Sequence, residues 1–283
     1  MRKCLIINAD DFGYCPAQNA AIKELLSKRL ISSTSVLAVA PAFEDAAQWL
    51  KENAVSAGIH LAINSDRQAT PWRSATGSPR LGPGGTLFSR SRDLTLHATH
   101  KAVRAELEAQ YAALAARGVE IDHADNHSGT LYGVNLRRFY HDAYAFCNAH
   151  ALPYRFPKTP GFIERQIGKR PPSVVLRLHR MLVDQAQKQH VKLLDDLISN
   201  PWNMERIKDY ETLRGWYLDA LELCGEGVTE LFLHPALPVG DERTEWTKRV
   251  YEYELLKSGD LLQKAEDLGL KIVSWKTYFQ NES

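Results

Sequence analysis

Five short stretches of the chain carry side chains that can move protons or hold a cation. They are Asn8-Ala9-Asp10-Asp11-Phe12-Gly13, Gly58-Ile59-His60-Leu61, Asp122-His123-Ala124-Asp125-Asn126-His127, the lone Arg155, and His234-Pro235. Adjacent carboxylates on a strand point to opposite faces. Asp10 and Asp11 therefore serve one site only if the strand ends there and the chain turns, which Gly13 permits. Two carboxylates held close need a proton or a cation between them. The plainer alternative is a helix-terminal acid beside a solvated one; the apolar run before the pair and the glycine after it favour a site.

His60 sits between Ile59 and Leu61. A lone histidine on such a strand is more often a packed core residue, and only the other acid and histidine clusters make it a ligand candidate. Asp125 and His127 are two apart and share a strand face, a common way to present ligands to a divalent ion. His123 falls about 13 Å short of the strand end by the rise of four residues, which gives it a structural role. The spacing of His123 and His127 matches a helical zinc pair, but the glutamate of that motif is missing and the surroundings read as strand. His234 leaves an apolar run just before a proline; it is either a turn residue or a general acid. Arg155 is costly to bury without an acidic partner, and Asp10 is a candidate. His97, His100, His141, His150, His179 and His190 fall on helical patterns or their ends and read as solvated or packed. The segment LGPGGT lacks the G-K-[ST] of a phosphate loop, and no G-x-S-x-G nucleophile elbow is present.

The elements that must position these residues follow from the apolar pattern. Residues 4–8, 34–39, 56–63, 120–126, 153–156, 229–233 and 271–274 read as strands. Residues 19–30, 43–51, 97–117, 136–150, 173–189, 210–223 and 246–268 read as helices. Short buried strands alternating with helices predict parallel strands joined by crossovers, either an open sheet or a (β/α) barrel. Active sites of such folds lie at the carboxyl ends of the strands, and that is where the candidate residues fall. Two breaks, near 64–95 and 157–172, read as loop insertions on one scaffold, so residues 1–283 are expected to form a single domain.

Composition limits the function classes. The chain has 283 residues, a net charge of +1, 44% hydrophobic and 24% charged residues. Near-neutrality offers no electrostatic footprint for nucleic acid or an anionic membrane. No apolar stretch approaches the roughly 20 residues of a membrane span. Four scattered cysteines without a C-x-x-C pair fit free thiols in a reducing compartment. The expected setting is cytoplasmic, with no nucleic-acid or membrane partner and with homo-oligomerisation left open.

With these residues in view, the chain resembles the YdjC-like carbohydrate deacetylases, which include chitooligosaccharide deacetylases and hopanoid-associated relatives. The matching pieces are Asn8 through Gly13, Gly58 through Leu61, Asp125-x-His127, Arg155-x-Pro157 and His234-Pro235, in the family's order. The opening N-A-D-D-F-G is the most specific of them. The resemblance implies an α/β fold, an irregular (β/α) barrel. It also implies a divalent metal, zinc or magnesium foremost, held by Asp11, His60 and His127. Asp10 would be the base, His234 the acid, and Arg155 the group that keeps Asp10 ionised. The implied reaction is metal-dependent hydrolysis of the N-acetyl group of a sugar or oligosaccharide, with release of acetate. Trp72, Tyr14 and Tyr132 are candidate substrate contacts. Many members continue D-x-H-x-H-V-H; here His127 is followed by Ser128-Gly129-Thr130-Leu131-Tyr132, which removes side chains that would line a substrate groove. The competing readings are another metal-dependent amide or phosphoester hydrolase on the same barrel, a non-haem iron oxygenase, and an inactive sugar-binding protein.

Overall fold

The apolar run that follows Arg2-Lys3 forms a strand that continues past residue 8 to include both aspartates: β1 spans Lys3–Phe12. The computed structural model describes residues 2–66, 70–133, 137–240 and 244–280. The remaining strands are β2 (Ser33–Val36), β3 (Ala57–Leu61), β4 (Ile121–Asn126), β5 (Tyr154–Pro157), β6 (Leu193–Leu194), β7 (Asp196–Ile198), β8 (Gly227–Leu233) and β9 (Lys271–Ile272). Every strand pair is parallel, as the strand–helix alternation requires. The ladder runs β6-β5-β4-β3-β2-β1-β8-β7, with β9 against the start of β1.

The ladder's two ends are consecutive in the chain. β6 pairs with β5 and β7 with β8, and only Asp195 separates them. The Asp195 carbonyl accepts from the Thr159 amide at 3.1 Å, and its own amide donates to the Val228 carbonyl at 3.0 Å. The sheet is thus brought round by one kinked segment rather than by a complete ladder, which makes an irregular (β/α) barrel. Residues 193–198 were not expected as a strand, because so short a run bears no period that distinguishes it from loop.

Strand alternation sorts the barrel into layers. On β1, Leu5, Ile7 and Ala9 pack in the large core shared with the helices, whereas Cys4 and Ile6 join Leu194, Leu197, Val228, Trp275 and Phe279 in a smaller cluster. Asn8 and Asp10 continue the face of Cys4 and Ile6. On β8, Glu230, Phe232 and His234 continue the face of Val228. The interior therefore changes from apolar to ionisable along the strands. The short helix Trp275–Gln280, absent from the sequence expectations, supplies two of the apolar cluster's aromatic rings.

The helices follow the pattern with local corrections. The 97–117 expectation resolves into Ser91–His97 and His100–Ala116, where the Thr99 side chain caps the second helix by accepting from the Ala102 amide. The 246–268 expectation divides into Thr244–Ser258 and Asp260–Asp267, because Gly259 adopts a left-handed φ of 82°. The 136–150 helix is observed as Tyr140–Ala149; Leu136 lies outside the described residues. The 157–172 break is not irregular throughout, since Gly161–Ile167 is helical. The 64–95 insertion is anchored by the fully buried Glu106, which accepts from the Ser74 hydroxyl at 2.6 Å and the Ala75 amide at 2.8 Å. Among the described residues, no helix is long and apolar enough to cross a membrane.

Candidate active site

The turn that brings Asp10 and Asp11 together occurs two residues earlier than expected, at Asp11 itself. Its φ is 65°, and the β1–β2 register shifts between Ala9 and Phe12. Aspartate is among the few side chains that tolerate this conformation, and such backbone strain concentrates at functional sites. Gly13 follows with φ 104° and leaves little room for a side chain: a Cβ there would lie 3.1 Å from the Leu37 carbonyl oxygen. Asp10 and Asp11 are both buried.

Three side chains converge on one point. His60 Nε2 lies 3.3 Å and His127 Nδ1 3.4 Å from Asp11 Oδ1. The rings of the two histidines stand 5.5 Å apart at 76°. Each imidazole is fixed from its far nitrogen by a carboxylate: His60 Nδ1 by Asp125 Oδ1 at 2.7 Å, His127 Nε2 by Asp66 Oδ1 at 2.8 Å. A carboxylate on the outer nitrogen is the usual device that sets the tautomer of a metal-bound histidine. Asp11 Oδ1 is buried and has no hydrogen-bond donor among the described residues. A buried carboxylate oxygen left unpaired is costly, and a cation shared with the two imidazoles would satisfy it. The Asp11, His60 and His127 donor set can thus hold a metal ion.

A second grouping, Asp10, His60 and Asp125, also lies within ligand spacing, but a guanidinium already occupies it. Arg155 Nη1 and Nη2 grip Asp10 at 2.7 and 2.8 Å, and Nη1 lies 2.8 Å from Asp125 Oδ2. Arg155 also donates to Glu230, from Nε at 3.1 Å and Nη2 at 2.6 Å. Asp125 therefore departs from the D-x-H ligand reading. β4 ends at Asn126, His127 opens a turn with left-handed Ser128 and Gly129, and the two side chains take different partners.

The electrostatics follow from this crowding. Burial alone would raise Asp11, but the approaches of His127 and His60 and the charge of Arg249 hold it well below the ordinary carboxylate value. Burial would lower His60, yet Asp125 and Asp11 hold it well above the imidazole value. His127 is raised likewise by Asp11 and Asp66 against its burial. Glu230 is pushed up to about 7 by burial, with Arg155 pulling the other way. One guanidinium serves three buried carboxylates there, so it cannot hold all of them ionised at no cost.

His234 lies at the rim of this cluster. Its Nε2 is 3.9 Å from Asp10 Oδ2, and its side chain is 32% exposed. The backbone amide of His234 donates to Glu252 Oε2 at 2.7 Å, and the Tyr217 hydroxyl donates to Glu252 Oε1 at 2.8 Å. Desolvation lowers the His234 pKa, with Asp11 and Asp10 opposing. Lowering makes its imidazolium a readier proton donor.

The aromatic candidates are placed differently from the expectation. Trp72 is buried, its ring 5.0 Å from that of His127 and 5.8 Å from that of Tyr14. It packs the wall behind His127 and offers no free face for a sugar. Tyr14 is half-buried beneath the Arg249 guanidinium, 5.1 Å away. Tyr132 donates its hydroxyl to the Arg155 carbonyl at 2.7 Å and packs against Phe156. His123 holds the structural place assigned to it: its ring stacks on Trp275 at 4.4 Å. Gly58 exists for this ring, since a Cβ at that position would lie 2.2 Å from His123 Nε2.

Four residues of the site went unrecognised in the sequence. Glu230 had a signal, a lone acid in the apolar run TELFL with the same parity as His234. Asp66 lies in a loop, and Arg249 and Glu252 lie on the helix Thr244–Ser258, where charged residues are ordinary. Arg249 Nη1 donates to Asp11 Oδ2 at 3.0 Å.

Curated relatives and solved structures agree with this architecture. The chitooligosaccharide deacetylase of Proteus mirabilis is 26% identical over 98% of this chain and 99% of its own. The carbohydrate deacetylase of Geobacillus stearothermophilus is 23% identical over 99% of this chain and 100% of its own. A solved structure from Enterococcus faecalis V583, described as a cellobiose-phosphate cleavage protein, superposes with a TM-score of 0.76 at 24% identity and covers 98% of this chain and 99% of that one. The family model described as YdjC-like protein matches residues 4–267. The N-A-D-D-F-G turn, the carboxylate-anchored histidines and this match over nearly the whole length make the chain a member of the YdjC-like family.

Proposed function

We propose that the protein is a metal-dependent carbohydrate deacetylase that hydrolyses the N-acetyl group of a sugar or oligosaccharide. The observation that carries the reading is the orphaned Asp11 Oδ1 between two carboxylate-anchored imidazoles, with Asp10 and His234 beside it. Asp11, His60 and His127 would hold one divalent ion, with zinc or magnesium the leading candidates for a mixed N/O donor set. When bound, the ion supplies Lewis acidity toward the amide carbonyl and the attacking water.

The chain's own groups do the rest. Arg155 clamps both Asp10 oxygens and fixes their direction, and Asp10 takes the proton of the attacking water. Asn8 Nδ2 donates to Asp10 Oδ1 at 2.7 Å and fixes its plane. His234, at the open rim, delivers a proton to the departing amine, giving acetate and an amino sugar. Asp66 and Asp125 hold the two rings at their outer nitrogens. The names of the relatives point to chitooligosaccharides as the first substrates to test.

The deciding experiment measures acetate from N-acetylated mono- and oligosaccharides with metal-stripped protein, metal-restored protein and the Asp10→Asn variant. Acetate release that depends on the metal and is lost in Asp10→Asn is expected. Release indifferent to both controls overturns the reading.

A further inference from the structure

Asp11 divides its two oxygens between different neighbours. Oδ1 faces His60 Nε2 and His127 Nδ1 and has no hydrogen-bond donor among the described residues. Oδ2 accepts from Arg249 Nη1 at 3.0 Å. Arg155 and Asp10 meet differently, since there two nitrogens reach both oxygens. That two-point fork is the stronger way for a guanidinium to neutralise a buried carboxylate. Arg249 reaches one oxygen of Asp11 and leaves the other open.

The surroundings hold Arg249 in this one-point contact. Nη1 also donates to Gln18 Oε1 at 3.0 Å, so both of its hydrogens are committed. Gln18 is fully buried, and its Nε2 donates to the Asp10 carbonyl at 3.1 Å. This amide ties Arg249 to the backbone just before the left-handed turn at Asp11. The guanidinium carbon lies 5.1 Å from the centre of the Tyr14 ring and 5.9 Å from that of Trp246, within reach of cation–π attraction. The Arg249 carbonyl accepts from the Ala236 amide at 3.1 Å, just past His234. The helix Thr244–Ser258 is thereby locked to the carboxyl ends of β1 and β8.

We infer that Arg249 is a positioning residue that restricts Asp11 to one metal-ligating oxygen and so keeps a coordination position open for substrate or water. The inference rests on the metal-site reading above and names the residue that sets how open that site is. An Asp11 free to grip an ion with both oxygens would fill a position that hydrolysis needs. The guanidinium charge also opposes a dication nearby, so Arg249 favours an open site over a tight one. An arginine that merely supported Asp11 would act in the reverse sense, because losing an outer partner that orients a ligand weakens metal binding. The sign of the affinity change separates the two roles.

The test compares wild type with Arg249→Met, each loaded with zinc or with cobalt(II). Arg249→Met is expected to bind zinc at least as tightly as wild type in competition with a chromophoric chelator. Its kcat for acetate release from an N-acetylated chitooligosaccharide should fall about 10–100-fold. Cobalt(II) absorbs visible light less strongly as its coordination number rises, so the cobalt-loaded variant should absorb more weakly than cobalt-loaded wild type. Weaker zinc binding, an unchanged kcat or an unchanged cobalt spectrum overturns the assignment. Circular dichroism checks the fold. If Arg249→Met does not fold, Gln18→Met, which removes the acceptor that aims Nη1, should give the same changes in smaller measure; a Gln18→Met protein that matches wild type in all three overturns the assignment. A wild type that binds neither ion overturns the metal reading and this one with it. A wild type that binds metal but releases no acetate overturns the deacetylase reading alone, and zinc affinity and the cobalt spectrum still decide the role of Arg249.

Discussion

Arg155 and Asp10 meet through two parallel hydrogen bonds of 2.7 and 2.8 Å, although 145 residues separate them. This fork fixes the plane of the carboxylate. Asp10→Asn should lower kcat by about 10²–10⁴-fold, the span of a lost general base, with the metal content unchanged. Arg155→Met is expected to destabilise the fold by about 3–5 kcal/mol, because it strands buried carboxylates. Denaturant titration reads the second effect; a loss below the resolution of that method would mean that the acids find protons or another cation.

The two histidine anchors can be separated from the proposed ligands they orient. Asp11→Ala, His60→Ala and His127→Ala should each abolish stoichiometric metal binding, as read by elemental analysis after gel filtration. Asp66→Ala should leave the ion bound but weaken its affinity by about 10–100-fold, the effect of losing an outer carboxylate partner. Equal metal affinity in wild type and Asp66→Ala would deny Asp66 that part.

Glu230 provides a stability signature in pH. Its carboxyl is raised from 4.5 to about 7 in the fold. Between those values the folded protein holds a proton that the unfolded chain has released, so this group's contribution to stability falls as pH rises. The contribution is greatest below 4.5, and its loss is complete above about 7. Glu230→Gln should flatten that slope, which is up to about 3 kcal/mol across the window. Chemical denaturation of both proteins at a series of pH values checks it, and parallel curves would contradict the assignment.

Glu106 holds the long insertion after β3 by accepting from Ser74, Ala75 and Thr76. That insertion carries Asp66 and Trp72, which pack on His127. Glu106→Ala should release the loop, seen as faster amide hydrogen exchange over residues 70–88 and weaker metal binding, with exchange in β1 and β8 unchanged. Unchanged loop protection would show that the segment is held by its own packing.

Much of the barrel was legible in the sequence because burial imposes period. The apolar runs at β1, β3 and β8 and the turn Asp10-Asp11-Phe12-Gly13 are local features, and they announced both the strand ends and the residues placed there. The partnership of Arg155 with Asp10 was also legible, because an arginine on a buried strand must find an acid. Local pattern could not reveal contacts made by closure. The kinked segment 193–198 is too short to carry a period. Asp66 pairs with His127, and Arg249 with Asp11 across 238 residues, only because the barrel brings them together. Trp72, a candidate substrate contact by its place in a long loop, is buried because Glu106 holds that loop down. Chain chemistry chose the candidate catalytic side chains; tertiary packing chose their partners, because hydrogen bonds and charges act across distances in space that sequence separation does not record.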